Sequence, residues 1–109
     1  MSEQVPDQFD GVSVVCKANV YFDGKVVSHT IKFPDGSTKS TGLMYAGAYT
    51  FNTEAAERMD IIAGECKVKV AGEDETKTYA AGSSFEVRAN SSFEIEIADG
   101  IAEYVCSYL

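Results

Sequence analysis

Positive charge is what this chain has least of. Its 109 residues carry 9 Lys and Arg against 17 Asp and Glu, a formal net charge of -8 at pH 7. A protein that grips duplex DNA or an anionic membrane surface needs a positive field, so both classes are excluded. A small anionic ligand is not, since a few local donors can hold one. Histidine occurs once, as His29, and cysteine three times, as Cys16, Cys66 and Cys106. That odd number and wide spacing give neither a disulfide framework nor a paired zinc-ligand motif. The cysteines read as buried, reduced thiols that behave as small hydrophobes; a nucleophilic one would need a histidine nearby, and His29 is all there is. No apolar run approaches the ~20 residues of a membrane-spanning helix. The opening MSEQVPDQFDG has neither the basic nor the apolar region of a signal peptide. A soluble, cytoplasmic protein is expected.

Helical periodicity is missing as well. With 45% hydrophobic residues, 9 Gly and 2 Pro the composition is that of a globular protein, and the length allows one domain. What fills it are short runs of period-two alternation rich in Val, Ile, Thr, Tyr and Phe. Strands are predicted at residues 18–22, 26–33, 39–45, 49–53, 59–63, 66–70, 76–80, 84–87, 93–98 and 102–108. Between them stand Asp23-Gly24, Pro34-Asp35-Gly36, Gly47, Gly64-Glu65, Gly72-Glu73-Asp74, Ala81-Gly82, Ala89-Asn90-Ser91 and Asp99-Gly100. Each suits a hairpin turn. Many short strands at this spacing predict an all-β, antiparallel sandwich or small barrel. Residues 1–18 carry little pattern and are expected to form an arm or an added edge strand; residues 19–109 form the domain.

Alternation also predicts which side chains look inward. Val27, His29, Ile31 and Phe33 share one face, as do Tyr49, Phe51 and Thr53, then Met59, Ile61 and Ala63, then Phe85 and Val87, then Phe93, Ile95 and Ile97. Lys67, Lys69, Glu94 and Glu96 take the opposite positions and should meet water. Glu57 breaks the rule, because it has the parity of Met59 and Ile61. An inward carboxylate is costly unless paired, hydrogen-bonded or protonated. It is therefore either a site residue with a shifted pKa or a strand-end residue whose register has slipped into solvent.

A run of residues across the chain resembles a known family. It comprises Tyr21-Phe22 with Gly24-Lys25-Val26, Thr41-Gly42-Leu43-Met44, and Gly47-Ala48-Tyr49-Thr50-Phe51 with Thr53. Glu57, Met59 and Ile62 with Gly64 follow, then YAAGSSF from Tyr79, Ser92-Phe93, and Tyr104-Val105-Cys106-Ser107-Tyr108-Leu109. In order and spacing these resemble the small bacterial pyrimidine/purine nucleoside phosphorylases, a single-domain cupin family. One departure is Ala48, where the family usually has Glu. The resemblance implies an antiparallel cupin (RmlC-like jelly-roll) barrel over residues 19–109, with phosphorolysis of purine and pyrimidine nucleosides to free base and ribose 1-phosphate. Aligned on the two cupin motifs through Glu57 and Gly64, and through Gly82, the metal-ligand positions fall on Phe51, Thr53, Glu57 and Phe93. Phe cannot ligate a cation, and Glu57 with a neutral Thr is too few for a stable site. No metal cofactor is expected, with inorganic phosphate as co-substrate.

Cleaving an N-glycosidic bond builds positive charge on the sugar and negative charge on the leaving base. Glu57, Thr53 and Tyr49 are the candidate catalytic residues: Glu57 to accept from the ribose or orient another group, Thr53 to hydrogen-bond a sugar hydroxyl. Phe51 and Phe93 offer substrate-binding π surface without reading base edges; plain core packing is the alternative. Lys39 and Arg88 are the candidate phosphate ligands, although alternation sets Arg88 opposite Phe85 and Val87, which equally suits a surface charge. His29 reads as a core or interface residue. Small cupins pair through edge strands, so a homodimer is expected, with residues 104–109 as a candidate edge. Two other classes stay open: a non-catalytic cupin that binds a small metabolite, and a structural dimerisation module.

Overall fold

The computed structural model describes residues 5–109; residues 1–4, the start of the expected arm, lie outside the described residues. The alternating stretches become antiparallel strands: β1 Ser13–Val14, β2 Asn19–Tyr21, β3 Val26–Lys32, β4 Thr38–Asn52, β5 Glu57–Ala63, β6 Glu65–Val70, β7 Lys77–Ala80, β8 Ser84–Val87 and β9 Ser92–Tyr108. A 3-10 turn at Phe22–Gly24 is the only helical element among the described residues. Pairing explains why these runs settle as strands. The β3–β4 hairpin, for example, turns at Asp35, whose carboxylate accepts the Ser37 amide at 2.8 Å and the Ser37 hydroxyl at 2.6 Å. Those bonds hold the Asp35 carboxyl below its ordinary pKa.

β4 and β9 are 15 and 17 residues long, and each was expected as two strands. They pair from Lys39 opposite Ser107 to Asn52 opposite Ser92. The predicted breaks at Gly47 and Asp99-Gly100 face each other across this ladder. Between Tyr45 opposite Ile101 and Gly47 opposite Ile97 the register jumps, so the chains bulge and bend together instead of reversing. Tyr49 donates its hydroxyl to the Tyr45 carbonyl oxygen at 2.7 Å, which satisfies a backbone acceptor at the bulge.

The bend divides one ladder between two sheets. On one side it joins the order β1-β3-β4-β9-β5-β8, with β2 also on β3. On the other, β9 carries β6 through Val68 opposite Ile95, and β6 carries β7. Among the described residues this hydrogen bonding gives the expected antiparallel cupin-like architecture, as an open cup that does not close into a full barrel. Its inner faces meet in a core that includes Met44, Met59, Ile61, Val68, Ile95 and Ile97. Lys67, Lys69, Glu94 and Glu96 are exposed, at the opposite parity.

On β3 the inward face is not the one alternation selects. Val26 and Ser28 face the interior and are buried, while Val27, His29, Ile31 and Phe33 lie on the other side. That side looks inward by composition because the N-terminal segment covers it. The Phe9 ring meets Phe33 edge-on at 5.3 Å and Val5, Pro6 and Asp7 lie near buried Asp60, while β1 extends the sheet edge beside β3.

Gly64 carries the chain from β5 in the first sheet to β6 in the second. Its φ of +77° is one that L side chains rarely adopt, and a Cβ there would overlap the Ile101 carbonyl oxygen. Gly64→Ala therefore combines strain with a backbone collision and should cost about 3 kcal/mol. Urea unfolding checks this; a loss within experimental error would refute the tight crossing.

Candidate active site

The two sheets enclose a cavity of about 160 Å³. A single water needs only ~10–15 Å³ of such space, so the opening has room for a small ligand group. Period-two spacing supplies its walls. Tyr104, Cys106 and Tyr108 are successive inward positions of β9; Ser40 and Met44 project from β4, Ser28 from β3, and Glu57 and Met59 from β5. From the second sheet come Phe51, Asn52 and Phe93, and Tyr21 of β2 stands at the edge. One wall is thus rich in hydroxyls and the facing wall is aromatic, with Phe51 and Phe93 stacked at 5.6 Å and 24°.

Register places the carboxylate. Glu57 opens β5 opposite Tyr108 of β9 on one side and Val87 of β8 on the other, and both neighbouring strands hold it at the cavity. Cys106 donates its S–H to Glu57 Oε1 at 3.5 Å. Burial raises the Glu57 pKa, and the Cys106 hydrogen bond partly offsets that rise. Burial, and then the Glu57 carboxylate, push the Cys106 thiol up to about 12, so it stays protonated and acts as a donor, not a nucleophile. Tyr104 is also raised, mainly by burial. Tyr108 is raised for the same reason, with its hydroxyl 3.0 Å from Ser40 Oγ, which works against the rise.

Of the residues singled out from the sequence, the cavity brings together Glu57, Phe51 and Phe93. The others stand elsewhere. Tyr49 is buried, with its ring 4.9 Å from Phe22 and its hydroxyl on the Tyr45 carbonyl. Thr53 is buried; its hydroxyl donates to the Arg88 carbonyl at 2.8 Å and accepts from the Ser91 amide at 2.9 Å, clamping the β8–β9 turn to the end of β4. That clamp holds Arg88 one step beyond Val87, with its side chain exposed. Lys39 lies on the face opposite Ser40, donating to Ser107 Oγ at 2.6 Å. His29 is likewise on the outer face of β3, with Nδ1 unpartnered among the described residues. The hydroxyl wall of Ser28, Ser40, Tyr104 and Tyr108 was missed. Its signal was the two-residue spacing of Tyr104, Cys106 and Tyr108, which only the pairing with Glu57 turns into a site. Ala48, finally, is exposed on the outer face opposite Glu96. A carboxylate at that position would stand outside the cavity.

Among the described residues no group of three or more His, Cys, Asp or Glu is placed to hold a metal ion, and no helix is long and apolar enough to cross a membrane.

A bent antiparallel double sheet with a cavity between its layers is a cupin-like fold. Bacillus subtilis oxalate decarboxylase shares it, with a TM-score of 0.73 at 12% identity over 96% of this chain and 30% of that one. A crystal structure from Acinetobacter sp. ADP1, described as a protein of unknown function, is 46% identical with a TM-score of 0.90, covering 94% of this chain and 98% of that chain. A family model described as pyrimidine/purine nucleoside phosphorylase matches residues 16–108. A curated relative of that name from Burkholderia vietnamiensis is 57% identical over 94% of this chain and 95% of its own length. The chain belongs to the pyrimidine/purine nucleoside phosphorylase family.

The raised pKa of Glu57 has a definite sign for stability. The folded state favours the protonated carboxyl, so its stabilisation is present below the ordinary carboxylate pKa and is lost as pH rises through the folded value. Glu57→Gln mimics the protonated form. The variant should melt at or above the wild-type temperature at pH 8, with the gap closing toward pH 4. A lower melting temperature at pH 8 would show that the ionised carboxylate is a stabilising partner.

Proposed function

We propose that the chain is a nucleoside phosphorylase acting on purine and pyrimidine nucleosides in this cavity. A phosphate oxygen attacks the anomeric carbon of the ribose, the C–N glycosidic bond breaks, and the base leaves with the bonding pair and takes up a proton. The second product is α-D-ribose 1-phosphate. The observation that carries this reading is a single inward carboxylate, Glu57, set among hydroxyls and facing stacked rings, in a chain whose curated relatives bear the phosphorylase name.

In this reading ionised Glu57 accepts from ribose hydroxyls and stabilises the positive charge that grows on the sugar in the transition state. Cys106 orients that carboxylate, and its hydrogen bond favours the ionised form against the effect of burial. Phe51 and Phe93 hold the base by stacking, Tyr49 pins the bend of the strand that carries Phe51, and Thr53 fixes the turn that carries Arg88. Arg88 is the cation we assign to phosphate, and Lys39 adds positive charge behind the wall, where it acts on Cys106. Phosphate is the co-substrate and no metal takes part: the positions that hold histidines in metal-binding cupins are Phe51, Thr53 and Phe93, which have no ligating nitrogen or thiolate. The working unit is the domain of residues 19–109, preceded by a segment that adds β1 as an edge strand on β3, as a cytoplasmic homodimer. Residues 104–107 are paired with β4 on one side and β5 on the other and so are not the free edge expected, whereas Tyr45 and Ile101, exposed register partners, give such a dimer an apolar surface to cover.

Purified protein incubated with a nucleoside should release free base only when phosphate is present, and EDTA should leave the rate unchanged. Base release without phosphate, or a chelator loss restored by added metal, would overturn the reading. Glu57→Gln should lower kcat/KM by about tenfold or more; full turnover would remove Glu57 from the mechanism.

The pH profile separates the carboxylate from its donor. Activity should fall as pH drops through the raised Glu57 pKa, and Glu57→Gln should abolish that acid limb. Cys106→Ala removes a hydrogen bond that favours the ionised carboxylate, so its acid limb should move to higher pH. An unmoved limb would deny Cys106 this part.

A further inference from the structure

The segment that leads into β3 is bent in a way its own residues resist. Phe22 and Asp23 have φ of 52° and 56°, and Gly24 follows at 90°. For glycine that conformation is ordinary, but for a phenylalanine it is an outlier that must be held by its surroundings. What holds Phe22 is aromatic: its ring lies 4.9 Å from Tyr49 and 5.4 Å from Phe51, edge-on to the latter at 83°. Yet Phe22 remains 43% exposed and Tyr21 45% exposed. The strained turn therefore anchors two open rings at the rim of the cavity without gaining full burial for either.

Tyr21 is the one that lines the cavity. It meets Phe51 edge-on at 6.1 Å and 80°, and Phe51 stacks on Phe93. A row of π surface thus runs from the buried core to the rim. The opposite wall offers Glu57 and the hydroxyls of Ser28, Ser40 and Tyr104. Sugar hydroxyls find partners there; a flat heteroaromatic ring finds its match on the aromatic side. Strain of this kind gathers at ligand clamps, where the structure must put a side chain in one place.

We propose that Tyr21 is a specificity-determining residue of the site, closing the nucleobase against Phe51 at the rim, and that Phe22 is the positioning residue that keeps Tyr21 there. This rests on the nucleoside reading above. Stacking recognises a π face, not a pattern of donors and acceptors, so the clamp admits purines and pyrimidines alike and holds the larger purine surface more strongly.

Calorimetric titration of adenosine and uridine, without phosphate, tests the clamp apart from turnover. Tyr21→Leu should weaken adenosine binding by about tenfold, and uridine by less. Tyr21→Phe, which keeps the ring and drops the hydroxyl, should restore most of that affinity. Phe22→Asn keeps a residue suited to the left-handed backbone but loses the anchoring ring; it should weaken nucleoside binding while leaving KM for phosphate unmoved. Equal affinities for wild type and Tyr21→Leu would overturn the proposal, as would a loss in Tyr21→Phe as large as in Tyr21→Leu, which would mean a hydroxyl contact. A Phe22→Asn loss shared equally by nucleoside affinity and KM for phosphate would remove the positioning role. Nucleoside binding with this pattern but no phosphate-dependent base release would leave the clamp standing and sink the phosphorylase reading; base release with Tyr21→Leu affinity unchanged would do the reverse.

Discussion

The shared ladder of β4 and β9 is the constraint from which the rest of this molecule follows. Because one pair of strands runs through both sheets, the bend near Gly47 sets the angle between the layers and hence the space between them. A flat ladder would stack the sheets closely enough for side chains to fill the gap. The bend opens a wedge instead, with Phe51 and Phe93 on one arm and Cys106 and Tyr108 on the other. The Tyr49 hydroxyl on the Tyr45 carbonyl pins that bend, which gives a buried tyrosine a purpose that side-chain chemistry alone would not suggest.

Glu57 shows how a costly group is kept. Its carboxyl loses hydration in the cavity, and a thiol is the partner that partly compensates. A thiol is a weak donor. It leaves the carboxylate under-satisfied and available, where an arginine at the same place would neutralise it and fill the cavity. Hydroxyls along the same wall add polar partners without adding charge.

Much of this was legible in the sequence because burial and alternation share one period. Phe51, Phe93, Met59 and Ile61 point where their parity says. Glu57 was conspicuous for the same reason, as a charged residue in an apolar series. The resemblance in motif order pointed to the cupin-like architecture. The failures are non-local. Gly47 and Asp99-Gly100 look like hairpin turns until they are seen to face each other across a ladder. β3 reads as facing the wrong way because the N-terminal segment covers its outer side, and an apolar pattern does not say which of two covers it meets. Thr53 and Lys39 have inward or ligand-like chemistry, but their partners, Arg88, Ser91 and Ser107, are far away in the chain. Tyr104, Cys106 and Tyr108 form a plain alternating strand until β5 lies beside them.

The protonation state of Cys106 reaches beyond its contact with Glu57. Oxidants and alkylating agents consume thiolate, and a buried thiol with a pKa of about 12 offers almost none at physiological pH. Cys66, buried and raised to about 11, is shielded in the same way. Cys16 is exposed, in the segment before β2. Under oxidative stress the two interior thiols are therefore chemically quiet while the exposed Cys16 thiol takes the damage. A fluorophore coupled through maleimide lands on that same sulfur and spares the two interior ones.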